Sequence, residues 1–136
     1  MVKEFACPCG SQQTYSNCCG LVHADIKAAK CPEQLMRARY CAYAKGNISF
    51  VLLSQKLAHS APDEAEQSRA FAAQSEFISL RILNAPRAKQ NSGQVEFMAL
   101  IKQGQQLIQL HELSNFKRDQ GVWYYSGGDA KFNELN

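Results

Sequence analysis

QVEFMALIK, residues 94 to 102, decides how this chain folds. Val95, Phe97 and Ala99 alternate with Glu96 and Met98, so an extended backbone would gather the first three on one face. Three further segments share the character: FISLRIL (77–83), QQLIQLHELSNF (105–116) and GVWYY (121–125) are rich in β-branched and aromatic residues. Turn-forming residues separate them at Asn91-Ser92-Gly93, at Gln103-Gly104 and from Arg118 to Gly121. The pattern predicts about four consecutive antiparallel strands.

Upstream the period changes. In PEQLMRARYCAYAKG (32–46), Pro32 suits a first helical position, Glu33 suits the positive helix end, and Gly46 offers a stop. Leu35, Met36, Tyr40 and Tyr43 recur at helical spacing. A second helix is expected over Ile48 to Leu57, with Asn47 as its cap, and a third from near Asp63 in DEAEQSRAFAAQ. Helices first and strands afterwards define an α+β chain: about three helices packed on one face of a four-stranded antiparallel sheet.

Residues 1–24 are different. They carry few long aliphatic side chains but hold Cys7, Cys9, Cys18 and Cys19. Too little apolar surface is available there to form a core, so another force must fold the segment. Four thiolates around one Zn²⁺ would do so, with Pro8 and Gly10 shaping the turn between the first pair and the segment from Gln12 to Asn17 forming a helical turn that returns the second pair. Disulfides within Cys-x-Cys or between adjacent cysteines close small strained rings, and the redox spacing Cys-x-x-Cys is missing. Adjacent cysteines need an unusual backbone to reach one ion, and His23, which follows closely, is the alternative to Cys19 as a ligand. Cys41 reads as a small buried apolar residue, and Cys31 stands where a helix cap is expected. The division that follows is a zinc-binding segment over 1–24, a connector at 25–31, and an α+β domain over 31–136.

Bulk properties narrow the function. Hydrophobic residues make up 46% and charged residues 20%, an ordinary globular balance. No run reaches the roughly 18 apolar residues of a membrane span, and residues 1–7 lack the apolar core of a secretory signal. A cytoplasmic protein with reduced thiols is expected, with no membrane partner. The formal net charge is +3. One Zn²⁺ with four thiolates would lower it to about +1, so nucleic acid is not an expected partner. No phosphate loop, nucleophile elbow or His-Glu-x-x-His sequence is present.

Cys7-Pro-Cys9-Gly-Ser, then Tyr15 and Cys18-Cys19-Gly20, resembles the SEC-C motif, the zinc motif also found at the tail of the SecA translocation ATPase. The resemblance implies Cys7, Cys9, Cys18 and Cys19 as ligands of one Zn²⁺ per chain. Members often carry lysines between the pairs, whereas Gln12, Gln13, Thr14, Ser16 and Asn17 are uncharged here. Leu35 to Tyr43, Ser79 to Leu83, Val95-Glu-Phe97, His111 to Phe116 and Gly121 to Tyr125 resemble the YchJ-like family of uncharacterised bacterial proteins. That likeness covers most of the chain and implies a nuclear-transport-factor-2-like (NTF2-like) cone, helices wrapped by a curved sheet. Members often have a second SEC-C motif at the end, and Trp-His where this chain reads Lys56-Leu-Ala-His59. Cone domains often pair through the outer sheet face, which keeps a homodimer open.

Candidate pocket residues are Arg37, Arg39, Tyr40, Tyr43, His111 and Trp123. Each has a structural alternative: ion pairing of the arginines to Glu112 or Glu96, core packing for the aromatics. His111 and Glu112 are strand neighbours and must face opposite ways. The expected function is a non-catalytic protein-binding module or adaptor that binds zinc. The alternative is an enzyme or small-molecule binder using the cone's interior.

Overall fold

The computed structural model describes residues 5–57 and 62–135. Ala58 and His59, the end of the Lys56–His59 stretch, lie outside them. Helices α1 (Cys19–Ala24), α2 (Pro32–Lys45), α3 (Ile48–Leu53) and α4 (Glu64–Gln74) precede strands β1 (Glu76–Asn84), β2 (Ser92–Gln103), β3 (Gln106–Asp119) and β4 (Val122–Glu134). The strands pair in chain order as one antiparallel sheet, β1-β2-β3-β4. No helix among the described residues is long and apolar enough to cross a membrane.

Helix α2 is central. Pro32 starts it, and Gly46 ends it in the left-handed region at φ +74°, where its N–H reaches the carbonyls of Ala42 and Tyr43. Leu35, Ala38, Cys41 and Ala42 expose no surface. Asn47 caps α3 by accepting from Phe50 N–H at 3.2 Å. Helix α3 ends at Leu53, not Leu57, because the next residues join the sheet. Tyr125 N–H donates to Ser54 O at 2.9 Å and Lys56 N–H donates to Tyr125 O at 2.8 Å.

The inner sheet face is built by the alternation seen in the sequence: Val95, Phe97, Ala99 and Ile101 are at most 4% exposed. Irregular register between Phe77 and Ser79, Ile82 and Asn84, and Asn115 and Phe116 bends the sheet around the helices. Gln120 and Gly121, at φ +51° and +82°, make the two-residue turn between β3 and β4. Strand β4 runs nine residues past the segment visible as GVWYY. It passes through Ser126-Gly-Gly-Asp129, where Gly127 and Gly128 pair with Asn115 and Ser114. Gly128 is required by proximity: a Cβ there would lie 2.7 Å from Leu113 O.

Gly93 shows how tightly α2 meets the sheet, since a Cβ on it would sit 2.5 Å from Cγ of Pro32. Gly93→Val is expected to cost about 1–3 kcal/mol of overpacking. Pro32→Ala, made in that background, should recover part of the loss, a non-additivity that urea unfolding of the single and double variants measures.

Candidate metal centre and cone pocket

The two cysteine pairs meet because of local backbone geometry. Cys7 N–H donates to Gln13 O at 2.7 Å and Gly10 N–H to Cys7 O at 3.2 Å, which closes the first turn with Gly10 at φ +83°. Cys18 caps α1 in an unusual conformation, φ −133° and ψ −111°, while Cys19 begins the helix. That break in the backbone lets adjacent side chains converge. The sulfurs of Cys7, Cys9, Cys18 and Cys19 all lie within 4.8 Å of one another, with Cys9 and Cys18 at 3.6 Å. Four sulfurs around an ion at 2.3 Å would stand roughly 3.8 Å apart, so the donor set fits a tetrahedral metal. All six cysteines are free thiols.

The thiols share protons. The Cys9 thiol is lowered to about 4, first by the hydrogen bond from Cys19. Cys7 is pushed up to about 12 by burial, and Cys19 is pushed up as donor to Cys41 first and then to Cys9. Cys41 is thus a neighbour of the cluster as well as a small buried side chain. Arg37 faces the same sulfurs: Nη1 donates to Cys9 O at 2.9 Å and stands 3.8 Å from Cys9 Sγ, while Nε pairs with Glu33 at 2.9 Å.

His23 bolts this segment to α2. Its Nε2 lies 2.7 Å from Ala38 O and its Nδ1 2.6 Å from the Tyr15 hydroxyl. A carbonyl only accepts, so Nε2 carries the proton and Nδ1 accepts from Tyr15. Both nitrogens are engaged, so His23 is not the substitute ligand that its spacing suggested. Gly20 makes room, since a Cβ there would meet Tyr15 O at 2.7 Å.

The opposite side of α2 opens on a cavity of ≈ 330 Å³ between the helices and the sheet. Arg39, Tyr40 and Tyr43 line it; Arg37, His111 and Trp123 do not. Arg37 belongs to the cysteine cluster. His111 pairs with Glu96 at 2.7 Å on the other face of the sheet, and Trp123, 2% exposed, is core. Arg39 is 6% exposed and donates from Nη1 to Val51 O and Ser54 Oγ and from Nη2 to Gln55 Oε1, at 2.9, 2.7 and 3.0 Å. Burial lowers its pKa, and the Tyr125 ring covers its guanidinium at 4.3 Å. Neither arginine ion-pairs with Glu112 or Glu96 among the described residues. Glu112 Oε2 instead accepts from Ser114 at 2.5 Å and from Tyr125 at 3.0 Å. A half-buried aromatic wall continues through Phe71 and Phe77. Glu112 and Ser114 were visible in the sequence as two polar residues interrupting the inward series Ile108, Leu110, Phe116 on β3.

A curved sheet wrapped on helices, with a cysteine knuckle docked behind the central helix, is the architecture of a SEC-C protein with an NTF2-like domain. The sequence matches the YchJ middle NTF2-like domain over residues 31–128 and the SEC-C motif over residues 6–21. A UPF0225 protein of Vibrio parahaemolyticus is 36% identical over 126 residues, covering 90% of this chain and 74% of that protein. A UPF0225 protein of Bordetella parapertussis is 34% identical, with 93% of each chain covered. The solution structure of a SEC-C motif containing protein from Rhodopseudomonas palustris superposes with a TM-score of 0.78 at 35% identity, covering 92% of this chain and 98% of that one. A crystal structure of a SEC-C motif containing protein from Psychrobacter arcticus shares the fold, with a TM-score of 0.71 at 23% identity, over 89% of this chain and 80% of that one. The chain belongs to the YchJ-like UPF0225 family.

Burial holds the His23 pKa below its ordinary value. A base with a depressed folded pKa contributes stability that is complete above its unfolded value, about 6.5, and is lost as pH falls below it. His23→Gln should therefore lose stability at about pH 7.5, yet show a smaller further loss on acidification to about pH 5.5 than the parent protein. Urea midpoints of both proteins at the two pH values check this.

Proposed function

We propose that this protein is a zinc-binding, non-catalytic adaptor. In this reading Cys7, Cys9, Cys18 and Cys19 hold one structural Zn²⁺, and the knuckle so fixed presents a surface to a partner protein. The observation that carries it is the sulfur cluster itself: four sulfurs within 4.8 Å, of which Cys7, Cys9 and Cys19 are buried in the same core as α2. An all-thiolate, four-donor set suits zinc and leaves no open coordination position, as expected of a structural site. When bound, the ion supplies a crosslink between two turns. The protein supplies the rest: Arg37 offsets thiolate charge at Cys9, and His23 with Tyr15 fixes the knuckle's seat.

The partner surface is read from what the knuckle leaves outside. Phe5 is 87% and Leu21 52% exposed, beside the uncharged Gln12, Gln13 and Asn17. Exposed apolar side chains among uncharged amides favour a protein surface as the partner. Free thiols throughout fit a reducing, cytoplasmic setting.

Metal analysis of the purified chain should give one zinc per chain. Cys7→Ser with Cys9→Ser should abolish it and lower the unfolding midpoint, as chelation should in the parent; isolated knuckles bind zinc with on the order of 10 kcal/mol, an upper bound here. A metal-free folded protein with those thiols open to alkylation would sink the zinc assignment. Phe5→Ser with Leu21→Ser should keep zinc content and thermal midpoint unchanged while abolishing capture of the partner; capture at parental levels would place the binding face elsewhere.

A further inference from the structure

The cone cavity pairs two unlike polar groups that do not touch each other. Arg39 uses both Nη1 hydrogens and one on Nη2 for Val51, Ser54 and Gln55. Its Nε–H and the second Nη2–H have no partner among the described residues. These are strong donors on a buried cation. Glu112 accepts from Ser114 and from the Tyr125 hydroxyl on Oε2, and Oε1 has no partner among the described residues. Gly128 makes that arrangement fit, since a Cβ there would stand 2.9 Å from Glu112 Oε2. Arg39 and Glu112 both line the cavity but are not within 4 Å ion-pairing distance.

We propose that this cavity binds a small, flat, neutral heterocycle carrying a lactam-type edge, with a carbonyl oxygen accepting from Arg39 and an adjacent ring N–H donating to Glu112. The inference is independent of the metal and of the adaptor reading. Charge decides between ligand classes. A carboxylate would satisfy Arg39 but bring a second anion toward Glu112, and a cation would meet the reverse conflict. A neutral edge with one acceptor and one donor satisfies both without burying new charge. Shape supports flatness. Tyr43 stacks on Phe77 at 6.1 Å between centroids, and Phe71 meets both edge-on. A volume of ≈ 330 Å³ lies at the small end for ligand pockets and suits one or two fused rings.

The experiment titrates the full chain as purified with isoquinolin-1(2H)-one, naphthalene-1-carboxylate and naphthalene, followed by amide and side-chain NMR shifts. The lactam should bind at least tenfold more tightly than the other two, with shifts centred on the Arg39 guanidinium and Tyr125. Glu112→Gln puts an amide donor where an acceptor is needed, and should weaken the lactam about tenfold while leaving naphthalene unchanged. Ser68→Trp, on the half-buried cavity rim, should block all binding without disturbing the core, and keeps the test decisive if Glu112→Gln does not fold. Equal affinity for naphthalene, tighter binding of the carboxylate, no binding of any probe at millimolar concentration, or lactam binding that survives Ser68→Trp would each overturn the proposal.

Discussion

Burial of α2 on two opposite sides is the constraint on which the structure depends. One side, with Met36, Tyr40 and Tyr43, faces the cavity and the sheet. The other, with Ala38 and Cys41, meets the N-terminal segment, where His23 bonds Ala38 O and Cys19 bonds Cys41. That segment has little with which to hold itself. Among its described large apolar residues, Phe5 and Leu21 are exposed and Val22 is buried. Hydrophobic burial at about 25 cal/mol per Å² cannot fold so polar a stretch. Convergent sulfurs and the His23 bridge take its place, and the cover they make for α2 leaves the opposite side of the helix free to shape a pocket.

Helix geometry divides the work between two arginines. Residues two apart stand about 200° around the axis, so Arg37 and Arg39 must face nearly opposite ways. Arg37 turns to the cysteines, where its charge matches developing thiolate at Cys9. Arg39 turns to the cavity and finds only neutral acceptors in contact. The two residue types are alike in sequence and opposite in task.

Much of this is legible in the sequence. Alternation in residues 94–102 located the sheet face, and Pro32 with Gly46 bracketed α2, because these signals are local. The cysteine spacing pointed to a cluster for the same reason. Three features were hidden because they depend on partners far along the chain. Helix α3 stops early since Ser54 and Lys56 bond to Tyr125. Strand β4 continues through Ser126-Gly-Gly-Asp129 because Gly128 lies against Leu113 and Glu112. His111 and Glu112 were known to face opposite sides, but only strand register fixed which one entered the cone.

Arg39 is the residue least easily explained by stability. Withdrawing a guanidinium from water costs several kcal/mol even after relaxation, and a direct carboxylate partner is the usual compensation. Here the compensation is three neutral hydrogen bonds and an aromatic face, with Glu112 held back by Ser114 and Tyr125. An apolar residue of similar volume would fill the site at lower cost, and β3 likewise departs from its apolar series at Glu112 and Ser114. Polar groups placed on both walls of an apolar cavity, each keeping hydrogen-bonding capacity that no described residue uses, violate the local rules of core construction in the same place. Such coincident departures belong to a site whose remaining bonds are made by something outside the chain.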